Sequence, residues 1–518
     1  MRASWLLSVV LFGVSSVGAA PLSTLPPSLK TSWEARGLEG NRLVAVVEGL
    51  PRGFDAPVRL LSVNPDRPIA PASTAKLITT LAALEWLGVD YTFNTTFWAS
   101  SRPNRAEQIS NLYIEGGGDP TWVIENFALS LERLRQLGVK TITGNVVIDR
   151  SLFLAPQEAA SDFDGQAHRP YNTLPDAAIV NYGAMSFELV PEEKAKVARV
   201  IGLPELAGVS FPKTIPLLPG PCGDWKKRLG FSEDTPGKIR FKGGLPLSCG
   251  PKIYSVVGFD ANDYWTRLFK AQWAKVGGVF KGRVVSGGRP QASTRLMTSV
   301  SSPLSEIVKY TNKFSNNLLA RHLFLALGER AWSTGVDVSQ GALPLSESTE
   351  AFLRSSPTVK EGLALSGTAG NTASRGPHGL NETLSQGVLA AWMREYHLPE
   401  AGVLVENGSG LSRKTRVTGD FMAALLVHGW QSPYMSEYLS SLPVSAVDGT
   451  MARREVAPRY GRIKTGLINN VRAIGGYIHA KNGRRYALFA SIEGTHHLSE
   501  GIGFLNDLIT WVYDQPKP

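Results

Sequence analysis

Near its C-terminus this sequence leaves little choice of fold. "GRIKTGLI" (461–468), "VRAIGGYIHA" (471–480) and "RRYALFASIEG" (484–494) are three strand patterns separated by only a few residues. The last two are joined by Lys481-Asn482-Gly483-Arg484, and Asn-Gly predicts a two-residue hairpin turn. A helix over roughly 499–514 follows and is expected to pack on that sheet.

The remainder alternates strands and helices. With 518 residues the chain is too long for one core, so two or three domains are expected. "RLVAVVEGL" (42–50) reads as a buried strand, and "RLLSVNPDRP" as a second one ended by Asn64-Pro65. A helix from Ser73 to Leu87 carries Leu77, Leu81, Leu84 and Leu87 at helical spacing and stops at Gly88. "ISNLYIEGGGDPTW" (109–122) is a strand running into a glycine turn, and "VKTITGNVVIDRSLF" (139–153) a strand pair about Gly144-Asn145. Residues 200–255, rich in proline and glycine, predict a small loop-rich module. "YWTRLFKAQWAKVGGVFKGRVV" is a helix followed by a strand. Two helices between Ser301 and Gly328 are interrupted at "FSNN", and "LSGTAGNTASRGPHG" (365–379) reads as an exposed loop.

Composition narrows the class. The chain is 43% hydrophobic and 19% charged, as in ordinary globular proteins. Its net charge of +10 is spread without a polybasic run, which argues against nucleic acid and allows at most weak membrane association. Arg2, the apolar stretch Trp5–Gly13 and the small residues Val17, Gly18, Ala19 and Ala20 predict a signal peptide, 1–19, cut after Ala19. An uncleaved spanning anchor needs about 20 apolar residues. The protein is thus expected to be exported, to the periplasm or cell envelope. In such a compartment Cys222 and Cys249 read as one disulfide, with two free buried thiols the alternative.

One constellation carries chemistry. Ser73 and Lys76 stand three apart at a helix start, where free N–H groups favour a developing oxyanion. A serine needs an adjacent base to attack a carbonyl, and a lysine with the usual pKa of about 10.4 is charged at neutral pH. Lys76 therefore needs desolvation and a second cation nearby. Alone the pattern is cheap: roughly two such matches are expected by chance in this length. A second one exists, Ser210-Phe211-Pro212-Lys213, where Pro212 forbids a helix. For Ser73 alone a helix-capping role is the simpler reading. Ser315-Asn316-Asn317, at the break between two helices, adds a hydroxyl and an amide. Lys464-Thr465-Gly466, on a strand, adds the second cation, another hydroxyl and a glycine permitting close backbone approach.

Serine penicillin-binding proteins and class A β-lactamases share a triplet of this type. Here Ser315 follows Ser73 by 242 residues, far more than in β-lactamases. The chain resembles the penicillin-binding protein 4 type of D-alanyl-D-alanine carboxypeptidase, the S13 peptidase family. "NPDRPIAPASTAKLITTLAALEWLG", "YIEGGGDPTW", "GNVVIDRSLF", "VENGSGLSR" and "VSAVDGTMARR" carry the resemblance. It departs at Trp122, where the family's glycine turn usually has a smaller residue.

That resemblance implies an α+β multi-domain fold: a transpeptidase-like antiparallel sheet flanked by helices, formed by 20–90 and 293–518. Two smaller domains are inserted, 91–185 with 255–292, and within it 186–254, which holds the Cys222–Cys249 pair. It implies Ser73 as acylated nucleophile, Lys76 as its base, and Ser315 in proton transfer. Asn317 would bind the stem amide; Lys464 and Thr465, with Gly466 beside them, the terminal carboxylate. The N–H groups of Ser73 and Leu467 would form the oxyanion hole. Asp149 either contacts the amino end of a diaminopimelate side chain or holds a strand end. The implied partners are peptidoglycan stem peptides ending in D-alanyl-D-alanine, cross-links ending in D-alanyl-diaminopimelate, and β-lactams as inhibitors; a homodimer is compatible. No cofactor and no metal are expected: GxSxG, HExxH and GxxxxGK[ST] do not occur, and His496-His497 lacks helical ligand spacing. A serine β-lactamase and a catalytically inactive peptidoglycan-binding module are the rival readings.

Overall fold

The computed structural model describes residues 25–39, 42–51, 56–329, 346–366, 380–494 and 498–516. The predicted signal segment, most of the predicted loop 365–379 and His496-His497 lie outside these. The three C-terminal strands, Gly461–Ile468, Val471–His479 and Arg485–Glu493, form a meander that continues through Leu43–Gly49 to Val58–Val63. Every neighbouring pair in this five-stranded sheet is antiparallel. The turn at Asn482-Gly483 differs from the two-residue expectation. Ala480 N–H bonds Arg484 O at 2.9 Å, leaving three residues in the loop, with Gly483 at φ +77. Glycine tolerates that left-handed position, so the chain adopts the three-residue alternative.

Both faces of the sheet are covered. Helices Pro27–Ala35 and Leu498–Tyr513 pack on one, with Trp33 edge-on to Phe504 at 4.8 Å. The other carries Lys76–Leu87, Leu304–Lys313, Asn317–Leu327, Glu382–Glu395, Gly419–Gln431 and Met435–Ser441. All twelve residues of Lys76–Leu87 are buried. A helix enclosed on every side must satisfy its polar groups internally. Glu85 does so by accepting from Trp392 Nε1 (2.9 Å) and Ser432 Oγ (2.6 Å) and meeting His428 Nε2 (3.0 Å).

Between this helix and Leu304 the chain builds four further sheets. One has the order Val284–Ser286, Val146–Asp149, Leu112–Glu115, Asn94–Ala99, Thr294–Val300 and is mixed parallel and antiparallel. Thr294–Val300 thus pairs with Asn94–Ala99, although the resemblance placed 293–518 in the transpeptidase-like domain. Nor do 141–142 and 146–149 pair with each other. Thr141–Ile142 joins a separate three-stranded parallel sheet, and the chain changes sheets at Gly144. A side chain at Gly144 would lie 2.3 Å from Asn111 Oδ1.

The stretch expected to be loop-rich is mostly strand. Met185–Glu192, Val197–Leu203, Thr214–Leu218, Leu245–Pro246 and Lys252–Val256 form a five-stranded sheet, faced by the hairpin Leu229–Thr235/Lys238–Gly243. The prolines and glycines supply the turns between short strands. A disulfide joins Cys222 to Cys249. Buried residues of these inserted sheets form one contiguous cluster, from Phe97 and Ile148 to Phe187 and Tyr254. Trp122 lies inside it against Phe97, Phe127 and Trp265, which accounts for a large side chain there. Among the described residues no helix is long and apolar enough to cross a membrane.

Candidate active site

A single 3-10 turn, Ala72–Ala75, leads directly into Lys76–Leu87, and Ser73 sits in that turn. Its side chain makes no capping bond. Its Oγ instead lies in hydrogen-bond contact with Lys76 Nζ, at 2.9 Å. Ala72 holds φ +45, a conformation costly to a residue with a Cβ. Gly410 presses against it: a side chain there would come within 1.9 Å of Ala72 O. The loop that carries Gly410 also delivers the carbonyl of Ser409 to Lys76 Nζ, at 2.5 Å.

Lys76 is fully buried. Its third partner is Asn317 Oδ1, at 2.8 Å. The orientation of that amide is fixed, because its Nδ2 donates to the carbonyl of Tyr171 at 3.0 Å. Burial, and then the charge of Lys464, hold the Lys76 pKa well below the ordinary lysine value. A neutral amine has two N–H groups and one lone pair. Asn317 Oδ1 and Ser409 O can only accept, so they occupy both N–H groups. The lone pair is then left for the Ser73 hydroxyl, which alone among the three can donate.

Ser315 occupies the break between helices Leu304–Lys313 and Asn317–Leu327 with φ +55. Asn316 caps the second helix, its Oδ1 accepting from Leu319 N–H at 3.1 Å. The left-handed residue reverses the chain so that the cap can form. It also aims Ser315 Oγ at Lys464 Nζ, 2.8 Å away. Lys464 is fully buried and its second bond goes to Thr465 O at 2.7 Å. Desolvation brings its pKa down to about 7. No carboxylate among the described residues offsets either ammonium.

Lys464, Thr465 and Gly466 lie on Gly461–Ile468, the edge strand of the main sheet. A Cβ on Gly466 would stand 2.7 Å from Pro71 O, so glycine lets the edge close on the turn bearing Ser73. Ile463 N–H points off this edge, to Pro443 O at 2.8 Å. Alternate residues of a strand share a direction, so the N–H of Leu467 points off the same edge. Leu467 itself is 58% exposed. Thr465 Oγ1 donates to Thr450 Oγ1 at 2.7 Å. The loop carrying Thr450 is tied down by Asp448, which pairs with Lys313 Nζ at 2.6 Å.

Hydrogen bonds thus join Ser73, Lys76 and Asn317 in one group and Ser315 and Lys464 in another, and the charge of Lys464 acts on Lys76 between the two. Thr465 and Gly466 flank them. Asp149 is elsewhere: it ends strand Val146–Asp149, is 5% exposed, and accepts from Ser151 N–H at 2.9 Å. No contact among the described residues connects it to the cluster. The Ser210 tetrad lies between strands, not on a helix. Sequence reasoning missed the carbonyls of Ser409 and Tyr171 and the hydroxyl of Thr450. Backbone carbonyls leave no residue-type signal, although the glycines of "VENGSGLSR" mark a tight loop.

The glycine turn links the inserted unit to the site. Gly118 O meets Nδ1 of His322, five residues beyond Asn317 on the same helix, at 2.8 Å. Burial pushes the His322 imidazole down to about 4. Beside Asn317 a cleft of about 250 Å³ is lined by Tyr171, Asn172, Arg321, Glu406, Asn407 and Lys414, among others. A larger, mostly apolar cavity of about 460 Å³ lies in the inserted unit and touches none of the clustered residues. Among the described residues no group of three His, Cys, Asp or Glu side chains could hold a metal ion.

The sequence pattern described as the "D-Ala-D-Ala carboxypeptidase 3 (S13) family" matches residues 42–349 and 360–502. A D-alanyl-D-alanine carboxypeptidase of Actinomadura sp. (strain R39) is 26% identical, over 93% of this chain and 85% of its own. The D-alanyl-D-alanine carboxypeptidase DacB of Haemophilus influenzae is 21% identical, over 82% of this chain and 80% of its own. The crystal structure of penicillin binding protein 4 (dacB) from Haemophilus influenzae shares the fold. Its TM-score is 0.69 at 19% identity, with 94% of this chain and 99% of that one covered.

Proposed function

The chain belongs to the D-Ala-D-Ala carboxypeptidase 3 (S13) family, and on that premise we propose that Ser73 cleaves the terminal D-alanyl-D-alanine bond of peptidoglycan stem peptides by acyl transfer. The observation that carries this reading is the placement of Lys76. It is buried, beside a second buried lysine, and both N–H groups of its neutral form are engaged. Lys76 takes the proton as Ser73 Oγ bonds to the D-alanyl carbonyl carbon. The oxyanion forms against the N–H groups of Ser73 and Leu467. Ser315, held by Lys464, passes the proton to the leaving amine as the C–N bond breaks, and D-alanine departs. Water then attacks the ester and returns Ser73.

Lys464 and Thr465 bind the terminal carboxylate of the substrate. A carboxylate placed there offsets the uncompensated buried ammonium, which gives the site its preference for a free C-terminus. Asn317 aligns the stem amide. A cross-link that ends in D-alanyl-diaminopimelate presents the same carbonyl with a different leaving amine, so endopeptidase cleavage follows from the same groups. A β-lactam acylates Ser73 as well. The N-terminal 19 residues direct export, which brings the enzyme to its polymer.

The test is incubation with a pentapeptide muropeptide. Release of D-alanine, abolished by Ser73→Ala, is expected, together with a stable intact-mass increase by penicillin at Ser73. Rapid penicillin turnover without a lasting adduct would instead mark a β-lactamase. Absence of D-alanine release from well-folded enzyme would mark a binding module.

A further inference from the structure

The charge of +10 has no polybasic run in the sequence, yet the fold gathers much of it. Residues 226–242 hold six cations, Lys226, Lys227, Arg228, Lys238, Arg240 and Lys242, against two acids, Glu233 and Asp234. This net +4 falls on the hairpin Leu229–Thr235/Lys238–Gly243 and the turn before it. Strand residues two apart share a face and stand about 6.7 Å apart. Lys238, Arg240 and Lys242 therefore form a row, and all three are exposed. The alternate residues Ile239 and Phe241 turn inward, Phe241 meeting Phe187 and Tyr254. Across the hairpin the row faces Thr235, Ser232 and Gly230, none of which is charged. Arg228, exposed at the end of the 3-10 turn Trp225–Arg228, directly precedes the hairpin.

Two of the six cations meet carboxylates: Arg240 with Asp234 and Lys227 with Asp224, both at 3.2 Å and exposed. Among the described residues the other four have no ion pair. A lysine or two on an edge strand prevents unwanted strand pairing, but that purpose does not call for an unbroken row with a turn of three more beside it. An excess of exposed charge of one sign, four of its six cations without an ion pair, fits an extended polyanion. The face offers no apolar side chain to enter a bilayer, unlike surfaces that lie on membranes.

We propose that this outer hairpin face docks peptidoglycan itself, through the carboxylates of stem peptides remote from the one being cleaved. The inference rests on the proposed function, which makes that polymer the substrate. A protein holding a repeating polymer at two places gains effective concentration at the catalytic cleft without any added catalytic contact.

The test compares the full-length mature enzyme with Lys238→Gln/Arg240→Gln/Lys242→Gln. A control, Arg102→Gln/Arg105→Gln/Lys140→Gln, removes the same charge from exposed positions elsewhere. Purified sacculi are mixed with each protein and pelleted. The hairpin variant should lose affinity by about tenfold or more, on the scale set by a few basic side chains at an anionic surface. The control should bind as wild type. The difference should fade as salt shortens the Debye length to about 8 Å and below. D-alanine release from a soluble muropeptide should be equal for all three. Equal pelleting of the hairpin variant and wild type overturns the proposal, as does equal loss in both triple variants. Hairpin-dependent binding to anionic phospholipid vesicles but not to sacculi also overturns it, in favour of a membrane. Failure of the wild type to release D-alanine would count against the proposed function and is read separately from pelleting.

Discussion

Two tetrads in this molecule present the same pair of chemical groups at the same spacing, Ser73-Thr74-Ala75-Lys76 and Ser210-Phe211-Pro212-Lys213. In the first, a helix start and its surrounding loops enclose the lysine among three oxygens. In the second, Ser210 is exposed, and its backbone bonds Gly237 and Ile239 across a strand gap. Lys213 is likewise exposed, with its ammonium 4.5 Å over the Phe211 ring. Water solvates that ammonium and nothing aligns it with the hydroxyl. The nucleophile–base pair is thus not a property of four residues. It is made by burial, by a like charge at Lys464, and by acceptors that leave one lone pair free.

The largest contrast concerns the nucleophiles. Ser73→Ala should lower D-alanine release by about 10⁴-fold or more, as when other serine hydrolases lose theirs. Ser210→Ala should leave the rate within twofold of wild type, by analogy with neutral surface changes of about 0.5 kcal/mol or less. An intact-mass shift with penicillin that survives Ser73→Ala would collapse the contrast. The bases come next. Lys76→Arg keeps the positive charge but cannot become neutral, so acylation should fall about 10³-fold, in the usual range for a lost general base. Lys213→Arg should have no effect. Single-turnover acylation by labelled penicillin measures both.

Much of this site was legible in the sequence because its reacting groups are side chains with distinctive chemistry. Ser73, Lys76, Ser315 and Lys464 could be named from their motifs, and the need for a second cation followed from the pKa of lysine alone. The three C-terminal strands were legible too, the last two from the Asn-Gly turn between them. The carbonyls that hold the site were not, because Ser409 O, which faces Lys76, and Tyr171 O, which accepts from Asn317, look like any others in a sequence. The swap of sheets at Gly144 and the pairing of Thr294–Val300 with Asn94–Ala99 depend on long-range register, which local pattern does not encode. The charge row on Lys238, Arg240 and Lys242 was hidden for a different reason. Alternation spaces the cations out along the sequence and brings them together only once the residues form a strand.

The influence of Lys464 on Lys76 is a smaller effect with a clear sign. The Lys464 charge lowers the Lys76 pKa. In Lys464→Gln that contribution is gone, so Lys76 holds its proton to higher pH. The acid limb of the acylation profile should move upward, with a greater loss near neutral pH than at about pH 9, where a lysine nearer its ordinary value begins to deprotonate. Lost substrate binding through Lys464 would lower the whole profile without moving its limb, so the shape separates the two roles. A profile that falls uniformly would show that burial alone, without the second lysine, distinguishes Lys76 from Lys213.

The smallest expected effect tests the backbone rather than the side chains. Gly466→Ala puts a methyl 2.7 Å from Pro71 O and 3.1 Å from Ala72 Cβ, against the turn that carries Ser73. Backbone cannot give way as a flexible side chain can, so overpacking should cost about 1–3 kcal/mol. Gly230→Ala, on the exposed hairpin, makes ordinary contacts with Lys242 Cβ at 3.4 Å and Lys242 O at 3.7 Å and should stay within about 0.5 kcal/mol of wild type. Denaturant titration reads both. If Gly466→Ala were as mild as Gly230→Ala, the edge strand would have slack against the Ser73 turn. The Leu467 N–H could then not be held rigidly for an oxyanion. A large stability loss together with slower acylation by penicillin is the outcome that ties the two motifs into one preorganised site.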